Sequence, residues 1–136
     1  MPIEKREKRN LPQRHPLIIE HNVDWLNSLK GLVADGIFNL PFSFETATTF
    51  EEAEKLLKGK TASFTDLIAM PELSGPNADW QSTVKFAKRF NLPVTILTGS
   101  DNLAYQLKKQ RIPVVSKDLW DTNGEAYKAF ITDPRI

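Results

Sequence analysis

Short apolar runs separated by longer segments with a single apolar face constrain this chain more than any one residue does. Leu17-Ile18-Ile19, Val94-Thr95-Ile96-Leu97 and Pro113-Val114-Val115-Ser116 are too short for helices and suit strands buried on both faces. After the first run, Trp25, Leu26, Leu29, Leu32 and Val33 recur at the spacing of one helical face, with Asn22 placed to cap the helix and Gly36 to stop it. Pro41 to Thr48 alternates Phe42 and Phe44 with Ser43 and Glu45 and reads as a second strand. Thr49-Phe50-Glu51-Glu52 is a capping-box pattern for a helix that buries Phe50, Ala53, Leu56 and Leu57 and ends at Gly59. A third strand is expected over about Ala62 to Asp66. The helix after it places Trp80, Val84, Ala87 and Phe90 on one side and leaves Phe86 off it. A short helix carries Leu103, Ala104 and Leu107, and the Thr122/Glu125 spacing announces a last one with Ala126, Tyr127, Phe130 and Ile131. Strand and helix alternate five times, which predicts one parallel sheet with helices on both faces.

A chain of 136 residues fits one domain with a real core. Hydrophobic content of 40% and charge of 26% are those of an ordinary globular protein. With no apolar run of spanning length and no charged-then-apolar leader, a cytoplasmic protein without a membrane partner is expected. The absence of cysteine removes disulfides, thiol catalysis and thiolate metal sites. The net charge of +1 is unevenly spread, because Lys5, Arg6, Lys8, Arg9 and Arg14 crowd the start. Residues 1–15 therefore read as a solvated, disordered basic tail in which His15 has no partner, and residues 16–136 as the folded domain. No second basic cluster interleaved with aromatics follows, so a nucleic-acid contact is not expected.

In an open parallel sheet, chemistry belongs at the carboxyl ends of the strands. That rule singles out Glu20-His21, Asp66, Thr98 and Lys117, each read as closing a strand. No Gly-rich phosphate loop, nucleophile elbow or His-rich metal spacing is present, and an enzyme is not expected.

Phe64-Thr65-Asp66-Leu67 followed by Met70-Pro71-Glu72-Leu73-Ser74-Gly75 resembles the active-site strand and loop of a response-regulator receiver domain. Pro93-Val94-Thr95-Ile96-Leu97-Thr98-Gly99 and Val114-Val115-Ser116-Lys117 resemble the family's fourth and fifth strands. The resemblance covers roughly residues 16 to 131. It implies a flavodoxin-like doubly wound sheet of order 2-1-3-4-5. It also implies a stand-alone receiver in two-component phosphorelay signalling: Asp66 as phosphoryl acceptor, Thr98 and Lys117 on the phosphoryl oxygens, and Mg²⁺ held by Glu20 and Asp66. The implied partners are a histidine kinase or phosphotransfer protein and a downstream protein, with a homodimer as a further option. The cation and ammonium would offset the repulsion between a carboxylate and a dianionic phosphoryl group.

The chain departs from the pattern in named places. His21 stands where a second acid is usual and is a poorer Mg²⁺ ligand. Asp118 follows Lys117 in place of proline, so a trans bond is expected there. Val114 replaces an aromatic ring. The strand and the loop fit together only with one inserted residue. Counting back from Gly75 without a gap puts Leu67 at the acceptor position, and counting forward from Asp66 as the acid that opens the strand puts Pro71 there. The alternative is a degenerate pseudo-receiver, a phosphorylation-independent interaction module in which Lys117 bridges Glu20 and Asp66.

Overall fold

The structure, a computed structural model, describes residues 13–74, 77–117 and 125–135; side chains are described for these except at positions 61, 72–74, 77–78 and 125–127. The described elements run β1 (Pro16–Ile19), α1 (Val23–Ala34), β2 (Glu45–Ala47), α2 (Phe50–Lys60), β3 (Asp66–Ala69), β4 (Glu72–Ser74), β5 (Asn77–Asp79), α3 (Trp80–Arg89), β6 (Val94–Thr98), α4 (Asp101–Lys109), β7 (Val114–Ser116) and α5 (Glu125–Ile131). Five strands form one sheet in the order β2-β1-β3-β6-β7, and every pair in it is parallel. This is the parallel sheet that the alternation predicts, in the flavodoxin-like order 2-1-3-4-5 that the resemblance implies. Among the described residues no helix is long and apolar enough to cross a membrane.

Alternate residues of each strand point to opposite faces, and the core divides accordingly. Ile18, Ile68, Leu97 and Val115 face Trp25, Leu26 and Leu29 of α1 and Phe130 of α5. Leu17, Ile19, Leu67 and Ala69 face Ala53 and Leu57 of α2 and Phe86 and Ala87 of α3. Ile96 and Val114 pack on Leu107 of α4. Phe86 is thus a core residue, held edge-on to Phe50 with centroids 5.1 Å apart. The one-sided pattern misplaced it because Thr83 sits one turn before it and is also buried, donating its hydroxyl to Met70 O at 3.0 Å.

The caps follow the local sequence. Asn22 Oδ1 accepts from Trp25 N at 3.0 Å, and Thr49 Oγ1 accepts from Glu52 N at 3.0 Å. Gly36 adopts φ +74° just after α1, a conformation that glycine takes without a Cβ penalty. The Gly59 stop is overrun, since α2 continues to Lys60. The second strand is shorter than expected: only Glu45–Ala47 pairs, while Phe42 turns inward and stacks on Phe130 at 6.0 Å.

Three expectations are corrected. The third strand is Asp66–Ala69, not Ala62 to Asp66; Thr61–Ser63 is a 3₁₀ turn. The stretch Glu72–Asp79, read as a loop and helix approach, carries an antiparallel two-stranded ribbon, β4 and β5. The folded part also begins before Pro16. Arg14 is buried, and His15 bonds Ser43 and Glu45. Residues 1–12, Asp118 and Thr122 lie outside the described residues.

Candidate functional site

The register of β3 decides what the carboxyl edge of the sheet contains. Pro16 pairs with Asp66 and Ile19 with Ala69, so Asp66 opens β3 at the amino edge. Glu20 and Met70 then stand level at the carboxyl edge, where Met70 N donates to Ile19 O at 3.0 Å. His21 and Pro71 both line the cleft at this edge. The strand is a continuous apolar run because both its faces are covered, and a charged residue fits only at its ends. The aspartate took the opening end and Met70-Pro71 the closing one.

Glu20, Thr98 and Lys117 do converge at the carboxyl edge. Glu20 follows β1 and is fully buried. Its Oε1 accepts from Asn22 N at 3.1 Å and lies 3.2 Å from His21 Nδ1. Its Oε2 meets Lys117 Nζ at 3.0 Å as an ion pair whose angle falls outside hydrogen-bond geometry. Lys117 is held at both ends: its N donates to Thr98 O at 3.0 Å, and its O accepts from Trp25 Nε1 at 2.9 Å. Thr98 Oγ1 accepts from Ser100 N at 3.0 Å, in the turn that leads to Ser100 as cap of α4. His21 is over half exposed, with Nδ1 2.9 Å from Met70 Sδ. An open cleft of about 610 Å³ lies above these groups, with Met70, Pro71 and Leu103 on its apolar side.

Asp66 does not line this cleft: it lies at the amino edge of the sheet, apart from the Glu20, Thr98 and Lys117 with which it was expected to act. It is fully buried and paired with Arg14, Nη2 donating to Oδ2 at 2.9 Å. Thr65 Oγ1 donates to its Oδ1 at 2.7 Å. Arg14 also donates Nη1 to Phe130 O at 3.1 Å and lies 4.4 Å from the Phe42 ring centre. Lys117 does not bridge Glu20 and Asp66; of these two carboxylates it reaches Glu20. Arg14 is the residue that sequence reasoning missed, hidden among other basic residues of an apparent tail.

The Mg²⁺ expectation meets a donor set that does not fit it. Among the described residues no group of three or more His, Cys, Asp or Glu comes together. Among the described residues the cleft has one carboxylate, Glu20, already against an ammonium and a backbone amide, with an imidazole beside it. A hard cation needs oxygen ligands free of such competitors.

No protein-family model matches the chain, and no curated protein does. Several solved structures are similar in fold. The signal receiver domain of an HD domain-containing protein from Pseudomonas fluorescens Pf-5 is 21% identical with a TM-score of 0.60, covering 89% of each chain. A response regulator receiver domain protein from Clostridium thermocellum is 18% identical with a TM-score of 0.57, covering 87% of this chain and 94% of that one. The anti-anti-sigma factor PhyR from Bartonella quintana is 14% identical with a TM-score of 0.52, covering 93% of this chain but 49% of its own. At these identities the likeness speaks for the fold, and the chain has the fold of a response-regulator receiver domain.

Proposed function

We propose that the chain is a pseudo-receiver: a receiver-like module that binds a protein partner without being phosphorylated. The observation that carries this reading is the residue pair at the carboxyl end of β3. Met70 and Pro71 stand where an acceptor carboxylate would have to lie, and neither side chain can form an acyl phosphate. The Lys117–Glu20 pair supports it further, because the ammonium is already neutralised inside the protein. In this reading a histidine kinase or phosphotransfer protein is not a donor to this chain, and Mg²⁺ has no role in it. Thr98 and Lys117 then serve to hold the shape of the edge around the cleft.

The test is a titration of the protein with beryllofluoride and millimolar Mg²⁺, followed by amide NMR shifts, alongside incubation with acetyl phosphate and intact-mass measurement. Beryllofluoride mimics an acyl phosphate on a competent aspartate. The proposal expects no saturable shifts at Met70, Thr98 or Lys117 and no added phosphoryl mass. A stoichiometric, Mg²⁺-dependent adduct on any carboxylate overturns it.

A further inference from the structure

The amino-terminal side of β2 carries a second cluster of chemistry-bearing groups, on residues unconnected with the cleft. Ser43 and Glu45 are two positions apart on the extended approach to β2, so their side chains leave on the same side. Both reach one imidazole. His15 Nδ1 lies 2.8 Å from Ser43 Oγ, and His15 Nε2 lies 2.9 Å from Glu45 Oε2. Lys60 Nζ holds the other carboxylate oxygen of Glu45 at 2.8 Å.

The imidazole is fixed as well as bonded. His15 N donates to Thr65 Oγ1 at 2.8 Å, and Thr65 N returns a bond to His15 O at 3.1 Å. The ring stacks on Phe64, with centroids 5.6 Å apart and planes within 13°. The bond from His15, and next the bond from Lys60, hold the Glu45 carboxyl below its ordinary range, so at neutral pH Glu45 only accepts. The single proton of a neutral imidazole then belongs on Nε2, which leaves Nδ1 as an acceptor for the Ser43 hydroxyl. Ser43 itself is exposed.

A hydroxyl bonded to an imidazole that a carboxylate orients is the arrangement of an activated serine. We infer that Ser43, with His15 as its base and Glu45 orienting that base, is a nucleophile toward small activated acyl donors such as aryl esters. In the acylation step Ser43 Oγ bonds to the ester carbonyl carbon and its proton passes to His15 Nδ1. The carbon–oxygen bond to the leaving group breaks, and that group departs with the electron pair and takes the proton from Nδ1. Water then attacks the acyl-serine, His15 accepting its proton and returning it to Ser43 Oγ, and the carboxylic acid is released.

The experiment treats the full chain with a fluorophosphonate probe, maps the adduct by peptide mass spectrometry, and follows p-nitrophenyl acetate hydrolysis in parallel. The expected result is an adduct on Ser43 that is absent in Ser43→Ala and forms roughly 10²-fold more slowly in His15→Gln, the scale of a lost general base. Because His15 also packs on Phe64, Glu45→Gln is the second variant. It keeps the packing and is expected to slow labelling while shifting the imidazole nitrogen resonances away from the single Nε2–H tautomer. No Ser43 adduct in the wild-type protein, or the same labelling rate in His15→Gln and Glu45→Gln, overturns the inference.

Discussion

Replacing Asp66 with asparagine separates a structural carboxylate from a signalling one. Asp66 is fully buried and Arg14 is 6% exposed, so Asp66→Asn keeps the shape but leaves a guanidinium charge without its counter-ion. Breaking a buried pair from one side costs about 3–5 kcal/mol, against a total of about 5–15 kcal/mol for a domain of this kind. Solvent screening does not soften this as it would at the surface. In urea, at a slope of about 1.5 kcal/mol per molar, the midpoint falls by about 2–3 M with the slope unchanged. Arg14→Met produces a loss of similar size from the other side. The double variant Arg14→Met/Asp66→Leu regains most of it, because neither charge then remains buried. A loss below about 1 kcal/mol for Asp66→Asn, the value of an exposed pair, refutes the reasoning. So does additivity of Arg14→Met and Asp66→Leu, each measured alone, in that double variant.

Phe130→Ala is expected to cost about 3–5 kcal/mol, since the ring is 1% exposed and packs against Phe38 and Phe42; urea unfolding measures it. Gly36→Ala meets no atom within 4 Å, so its cost is backbone strain alone, about 1–2 kcal/mol at φ +74°; a loss larger than that points to a contact the geometry lacks. Asp133 is held below the usual carboxylate range, first by the Arg135 side chain. A depressed folded value means that its contribution is complete above the unfolded carboxylate value of about 3.9 and is lost as pH falls through the folded one. Acid titration of stability therefore steepens below about pH 4, and Asp133→Asn flattens that part of the curve.

Much of the fold was legible because local rules and tertiary packing agree. The apolar runs at Leu17, Val94 and Val114 became parallel strands, and Asn22 and Thr49 capped the helices they precede. The third strand was misread where a family-like string, Thr65-Asp66-Leu67, outweighed a physical one. Leu67-Ile68-Ala69-Met70 is the continuous apolar run that a strand buried on both faces requires. Asp66 therefore had to precede the run rather than close it. Sequence spacing brought Glu20, Thr98 and Lys117 to one edge, since each ends or follows a strand of the same sheet. Arg14 was illegible for a different reason. Its partner is 52 residues away, and nothing local distinguishes it from Arg9. The Ser43–His15–Glu45 cluster likewise depends on Thr65 holding His15 beside β2, a contact no periodicity encodes.

The reach of Arg14 also sets an order of events during synthesis. Arg14 is made 52 residues before Asp66 and 116 before Phe130, and its guanidinium needs both. While the chain is still growing, β1 can pair with β2 and β3, and Arg14 can find Asp66, but the carbonyl in the last turn of α5 does not yet exist. The Phe42 ring and the amino edge of the sheet stay uncovered until α5 has left the ribosome. Closing a loop of that length adds little entropy beyond a shorter one, so the delay comes from translation itself. A nascent chain stalled before α5 thus presents an uncovered apolar edge, and the emergence of α5, rather than any earlier step, closes it.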